Sequence, residues 1–151
     1  MTDNRALIGS DGGEWVWVNR SDGMAVATMR KMGLKQIILS TETNPVVAAR
    51  AAKLDIPVLQ GLGDKASSLA RYAAEHGHDL ARSVFIGNDV NDLAAMRLVG
   101  HPIAPAPRDA RRRALAVFVT AARGGEGVVR EFFESFLCGE AGAAAAERRT
   151  L

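Results

Sequence analysis

Apolar residues recur at helical spacing in some stretches of the chain and alternate or run together in others, so its elements can be read in order. Residues 5 to 18 read as a β-hairpin: Arg5 to Ile8 and Glu14 to Val18 flank Asp11-Gly12-Gly13, which reaches positive φ at little cost. Trp15 and Trp17 alternate there with Val16 and Val18, so both faces carry apolar bulk, which subunit contact explains better than solvent exposure. Helix and strand then alternate. Asp22 is expected to cap a helix carrying Met24, Val26, Met29 and Met32 that stops at Gly33. Gln36 to Leu39 reads as a strand, and Asn44-Pro45 starts a helix from Val46 to Leu54. Pro57 to Leu59 is a short strand, and Asp64 caps a helix from Ala66 to His76. Ser83 to Ile86 reads as a buried strand ending at Gly87, followed by a helix through Val99. Ile103 and Ala116 to Val119 are further short strands, the second after a basic helical turn at 108 to 114, and Gly127 to Leu137 is the closing helix. Repeated strand–helix pairs imply an α/β fold with a doubly wound, right-handed parallel sheet. The Ala-rich tail from Gly139 to Leu151 is expected to be flexible.

A length of 151 residues suits one domain with a substantial core, and 48% apolar with 24% charged residues is a globular mixture. Net charge is +2, and the basic residues are scattered apart from Arg111-Arg112-Arg113, which has no aromatic platform beside it. No nucleic-acid partner is therefore expected. The single Cys138 excludes an internal disulfide and fits a reducing compartment. With no apolar run of membrane-spanning length and no signal-peptide layout, the expectation is a cytoplasmic protein without a membrane partner. His76, His78 and His101 lack metal-ligand spacing with a carboxylate and read as surface or loop residues.

Candidate chemistry sits where strands end. Gly87-Asn88-Asp89-Val90-Asn91-Asp92 follows the Val84-Phe85-Ile86 strand, so Asp89 and Asp92 stand at the carboxyl edge of a parallel sheet, where α/β proteins hold ligands. Two acids with an amide between them and no lysine nearby in sequence suit a hard cation such as Mg²⁺; the plainer alternative is that both acids serve the helix N-terminus. Ser40-Thr41 closes the strand from Gln36 to Leu39 and offers a hydroxyl to a phosphoryl oxygen, or only a helix cap. Lys65 follows the turn Gly61-Leu62-Gly63-Asp64 and can neutralise phosphate charge there, or remain a solvated first-turn lysine. Gly124-Gly125-Glu126-Gly127, ahead of Arg130, is a substrate lid or a linker.

The order hydroxyl, lysine, acid pair, each after its own strand, resembles the haloacid dehalogenase superfamily of phosphatases. Within it the chain is similar to the small cap-less branch that dephosphorylates 3-deoxy-octulosonate 8-phosphate or nonulosonate 9-phosphates, a module also found fused to acylneuraminate cytidylyltransferases. The resemblance spans Thr2 to about Leu137. It is carried by Thr2-Asp3-Asn4, Asp22-Gly23, Leu39-Ser40-Thr41-Glu42, Gly61 with Lys65, Gly87 to Asp92, and Gly124 to Glu131. It implies a Rossmann-like sheet and a two-step reaction in which an Asp attacks phosphorus and water hydrolyses the aspartyl-phosphate, assisted by Mg²⁺. By the same resemblance Ser40, Lys65 and Asp92 are catalytic, Asn88, Asp89 and Asp92 provide or support the metal site, and Thr41 and Gly125 lie on the substrate side. A homotetramer assembled through the hairpin is likewise implied, with the glycine-rich segment reaching a neighbour's site.

Two departures matter. In the family, a strand ending Asp-x-Asp-Gly-Val precedes the Thr-Asp matched here by Thr2-Asp3, whereas this sequence has Met1 there. The nucleophile and the first central strand are therefore expected outside the 151 residues, which would leave two unpaired strand edges and a gap in the core. Either the natural start lies upstream, or the chain is a catalytically inactive assembly module associated with a cytidylyltransferase. The second departure is Asn88, which replaces a metal-binding Asp of many members and can still offer an amide oxygen. Glu42 stands where octulosonate phosphatases usually carry Arg, which favours the nonulosonate branch. Arg50 and Arg130 are candidates to meet a substrate carboxylate; solvated helix arginines are the other reading.

Overall fold

The structure is a computed structural model, and it describes residues 2–106 and 110–139. Its strands are β1 (Ala6–Ile8), β2 (Glu14–Val16), β3 (Ile38–Leu39), β4 (Val58–Leu59), β5 (Val84–Ile86), β6 (His101–Ala104) and β7 (Phe118–Val119). Its helices are α1 (Arg20–Lys31), α2 (Val46–Leu54), α3 (Lys65–His76), α4 (Leu93–Met96), α5 (Ala110–Leu115) and α6 (Val128–Glu131). Apart from Gly139, the expected tail lies outside the described residues, as does part of the basic turn at 108 to 114.

β1 and β2 pair antiparallel with Leu7 opposite Trp15, and the Gly13 N–H closes the turn on the Asp11 carboxylate at 2.9 Å. Leu7, Ile8, Trp15 and Trp17 are all exposed, Trp17 by 78%. The cap of α1 is Asn19, whose side chain accepts from the Ser21 N–H, and not Asp22 as its position suggested. Asp22 is buried in the first turn of α1, where its carboxylate accepts the Val129 and Arg130 N–H groups at 2.9 and 3.1 Å. A short acid that could have capped its own helix thus caps α6, more than a hundred residues away in sequence, and ties the C-terminal helix to the first. The closing helix is also two pieces, α6 and a π-helical stretch Phe132–Leu137. The helix expected to reach Val99 is a 3₁₀ turn at Val90–Asp92 followed by α4, which ends at Met96. His101, read as a surface or loop residue, opens β6 and meets Phe136 edge-on at 5.9 Å.

Every strand pairing outside the hairpin is parallel: β3 with β4, and β5 with β6 with β7. Helices carry the core on both faces. Val26, Met29, Ile103, Phe132 and Phe136 form one cluster and Leu69, Ala95 and Val99 the other. Among the described residues β3 and β5 do not pair with each other. Burial follows that pattern: β6, with a neighbour on each side, is buried from Pro102 to Ala104, whereas β3 and β5 have one neighbour each and are half-buried. The strand expected to be buried is therefore one-sided, and its Val84 is 37% exposed. Between β3 and β5 lies a cavity of about 1380 Å³, lined by Val26, Met29, Leu39, Phe85, Ile86 and Phe132 among others.

α3 begins as expected. Asp64 accepts from the Ala66 N–H at 2.9 Å and from the Ser67 hydroxyl, and the Ser67 bond, ahead of the Ala66 bond, holds its carboxyl below the usual carboxylate range. A folded pKa below the unfolded value gives stability present above the unfolded pKa and lost as pH falls through the folded one. Asp64→Ala is therefore expected to lower Tm at neutral pH, with the gap from the parent closing as pH falls below about 4. Thermal melts across that range check it, and a gap constant with pH would refute it.

Candidate functional site

Three loops leave the carboxyl ends of β3, β4 and β5 and meet. The loop after β4 turns through Gly61, at φ 67°, and delivers Lys65 as the first residue of α3. The loop after β5 returns through the 3₁₀ turn and places Asp92 beneath it. No lysine is near Asp92 in sequence, yet the fold brings the Lys65 Nζ to 2.6 Å from its Oδ1, with side chains only 10% and 3% exposed. The other oxygen, Oδ2, accepts the Asn88 and Asp89 N–H groups at 2.8 and 2.9 Å. This closeness requires glycine at position 87, where a Cβ would stand 2.7 Å from that of Asp92. Asp92 is thus a node that neutralises the ammonium, fixes its direction and holds the loop after β5.

Asn91 links the third loop. Its Oδ1 lies 3.4 Å from the Lys65 Nζ and its Nδ2 donates to the Thr41 Oγ1 at 3.3 Å. Ser40 is anchored through its own N–H on the Leu59 carbonyl, and its Oγ accepts the Glu42 N–H at 3.1 Å. Ser40, Thr41, Lys65, Asn88, Asp89 and Asp92 all line the one cavity. Asn88 donates through Nδ2 to the Asn4 Oδ1 at 2.8 Å, so the residues just ahead of the hairpin close the rim. Asn4 and Asn91 were not among the candidate site residues. The amide inside the acid pair was the visible signal for Asn91; nothing in the sequence around Asn4 singled out its contact.

Other candidates are occupied elsewhere. Glu42 lines the cavity but spends its carboxylate on the Thr43 and Asn44 N–H groups at 2.8 and 3.0 Å, closing its own turn. Arg50 also lines it, with its guanidinium donating to the Asn19 carbonyl at 3.2 Å. Arg130 pairs with Glu134 one turn along, Nε to Oε1 at 2.6 Å. Gly125, at φ 84°, packs beside Asp3, and a Cβ on Gly124 would stand 2.3 Å from the Thr2 carbonyl oxygen. The glycine-rich loop therefore lies on the first residues of the chain.

Asp89 is exposed and caps the 3₁₀ turn, Oδ1 accepting the Val90 N–H at 2.6 Å, in a capping box with Asp92. Among the described residues no group of three or more His, Cys, Asp or Glu side chains could hold a metal ion. The arrangement offers one fixed cation and two hydroxyls at a strand edge, a set suited to binding a phosphate monoester.

No protein-family model matches the chain. It is 48% identical to a hydrolase from Streptomyces avermitilis assigned to the HAD family, whose structure aligns with a TM-score of 0.84 over 87% of this chain and 77% of that one. It is 27% identical to the 3-deoxy-D-manno-octulosonate 8-phosphate phosphatase of Moraxella catarrhalis, solved with magnesium ion, phosphate ion and KDO. That alignment has a TM-score of 0.86 and covers 99% of this chain and 87% of the phosphatase. Among curated proteins it is 30% identical over 143 residues to N-acylneuraminate cytidylyltransferase A of Danio rerio, covering 91% of this chain and 32% of that protein. The chain thus spans about a third of the length of the curated relatives it matches.

Proposed function

The chain belongs to the haloacid dehalogenase (HAD) family of hydrolases, and from that premise we propose that it is the phosphate-binding body of a Mg²⁺-dependent phosphomonoesterase. The substrate is the phosphate monoester of a 3-deoxy-2-keto sugar acid, an octulosonate 8-phosphate or a nonulosonate 9-phosphate. The aspartyl nucleophile comes from outside the 151 residues, which contain no Asp-x-Asp. One observation carries the reading: the Lys65 ammonium, held 2.6 Å from Asp92, stands on the rim that also carries Ser40 and Thr41.

Each group has a role set by its hydrogen bonds. Asp92 orients Lys65 in advance, so its charge meets the phosphoryl group without reorganisation. The Ser40 and Thr41 hydroxyl oxygens accept from Glu42 and Asn91, which leaves both O–H groups to donate to phosphoryl oxygens. With its Nδ2 on Asn4, Asn88 keeps its Oδ1 for a cation, and exposed Asp89 adds a carboxylate oxygen. Those two fit Mg²⁺, which takes one or two carboxylates together with water and phosphate oxygens. When bound, the ion offsets phosphate charge. Asp92, with both oxygens engaged, is assigned as the group that positions Lys65 and not as a ligand. The exposed hairpin residues Leu7, Ile8, Trp15 and Trp17 support self-association, in line with the homotetramer.

Phosphate release from both sugar-acid phosphates tests the reading. The 151-residue chain is expected to be inactive with Mg²⁺, and the chain extended ahead of Thr2 by a strand ending Asp-x-Asp-Gly-Val active with Mg²⁺ and silent with EDTA. Turnover by the unextended chain that Asp92→Ala abolishes would contradict the placement of the nucleophile. An inactive extended chain would favour the assembly module, whose support is the cytidylyltransferase match.

A further inference from the structure

We propose that Asn4 is a positioning residue for the cation site and that the glycine-rich loop aims it. Gly124 and Gly125 seat the segment ahead of the hairpin, so that the Asn4 side chain decides which end of the Asn88 amide faces the ion. The presence of an ion rests on the phosphatase reading; the hydrogen bond that orients the amide does not.

Asn88 needs such a partner because the two ends of its side chain differ. A primary amide carries an acceptor oxygen and a donor NH₂ of similar size, and only the oxygen ligates a hard cation. The Asn88 N–H donates to the Asp92 Oδ2 at 2.8 Å, which fixes its backbone but leaves the end-for-end rotation of its amide open. The Asn4 Oδ1, 2.8 Å from the Asn88 Nδ2, takes up the NH₂ and closes that choice. A carboxylate at position 88 would have two equivalent oxygens and no use for Asn4.

Asn4 is aimed by its backbone. At φ 61° it is left-handed, a conformation that Asn adopts more readily than most residues. The Asp3 carboxylate accepts the Arg5 N–H at 3.1 Å and lies 2.9 Å from the Arg5 Nε, which closes a turn around Asn4. Against that turn lie the two glycines. A Cβ on Gly124 would stand 2.3 Å from the Thr2 carbonyl oxygen, and one on Gly125 would stand 3.2 Å from the Asp3 nitrogen. Two residues without side chains let loop and segment meet backbone to backbone, and a methyl group at position 124 would displace the chain that carries Asn4. The loop that the sequence leaves as a lid or a linker thus reaches Asn88 through one hydrogen bond.

The probe is Mn²⁺, which takes the same oxygen ligands as Mg²⁺, titrated into the strand-extended chain with the free ion followed by electron paramagnetic resonance. Asn4→Gly keeps the left-handed backbone and removes the acceptor, and is expected to weaken binding by about tenfold, the low end for losing a partner that orients a metal ligand. Asn4→Asp retains an oxygen acceptor and should bind at least as tightly as the parent. Gly124→Ala, which displaces the segment, should act like Asn4→Gly. In an Asn88→Asp background both losses should shrink to within about twofold, because a carboxylate has no end to choose. Equal losses in the two backgrounds would mean a merely structural role and overturn the proposal, as would unchanged binding by Asn4→Gly or weakened binding by Asn4→Asp. In the metal-free chain the side-chain NH₂ resonance of Asn88 is expected to shift in Asn4→Gly, and an unshifted resonance overturns the proposal equally. Mn²⁺ binding with this dependence but no phosphate release would count against the phosphatase reading alone; a strand-extended chain that binds no Mn²⁺ overturns both.

Discussion

Asp92→Ala is expected to lower the free energy of unfolding by about 3–5 kcal/mol, the usual cost of breaking a buried ion pair from one side. Its carboxylate meets three donors, the Lys65 ammonium and the Asn88 and Asp89 N–H groups, with almost no access to water. Alanine leaves an ammonium and two amides without their acceptor at a place with little access to water. Asp92→Asn keeps an acceptor for the loop amides and is expected to lose less. The double variant Lys65→Met with Asp92→Leu removes both charges and should recover part of the loss, which makes the coupling visible. Urea denaturation at constant m-value measures it. A change within about 0.5 kcal/mol for Asp92→Ala, typical of a surface site, would mean that the node is not formed.

Lys65→Met, made in the strand-extended chain, is expected to reduce kcat by about 10²–10³-fold, the range seen when one group stabilising transition-state charge is removed. The ammonium stands on the rim that Ser40, Thr41 and Asn88 share, held there by Asp92 and Asn91. Because negative charge concentrates on the phosphoryl oxygens during transfer, the loss should fall on kcat more than on KM. Steady-state kinetics with the sugar-acid phosphates decide it. An unchanged kcat with a raised KM would make Lys65 a binding residue only.

Much of this site was legible because each part follows a strand. Ser40, Lys65 and Asp92 sit just after β3, β4 and β5, and a parallel sheet delivers such positions to one edge whatever its details. Contacts between loops were not legible. Asn91 bridges Lys65 and Thr41 only because three loops fold together, and the absence of a lysine near Asp92 in sequence gave no hint of the ion pair. Asp22 shows the same limit for the fold: its type announced a cap, but its partner helix lies at the other end of the chain. Val84-Phe85-Ile86 states that these side chains favour burial. What covers them is not written there, and here one side of that strand faces a cavity. The bonds of Glu42 to its own turn were equally unwritten: its position after the strand-end hydroxyl did not announce that its carboxylate accepts the Thr43 and Asn44 N–H groups.

A crystal structure of the 151-residue chain grown with inorganic phosphate is the most direct test of the shared pocket. One anion is expected within hydrogen-bonding distance of both the Ser40 Oγ and the Lys65 Nζ, with Asp92 still holding the ammonium. An anion bound elsewhere, or Ser40 and Lys65 opening onto separate surfaces, would contradict it.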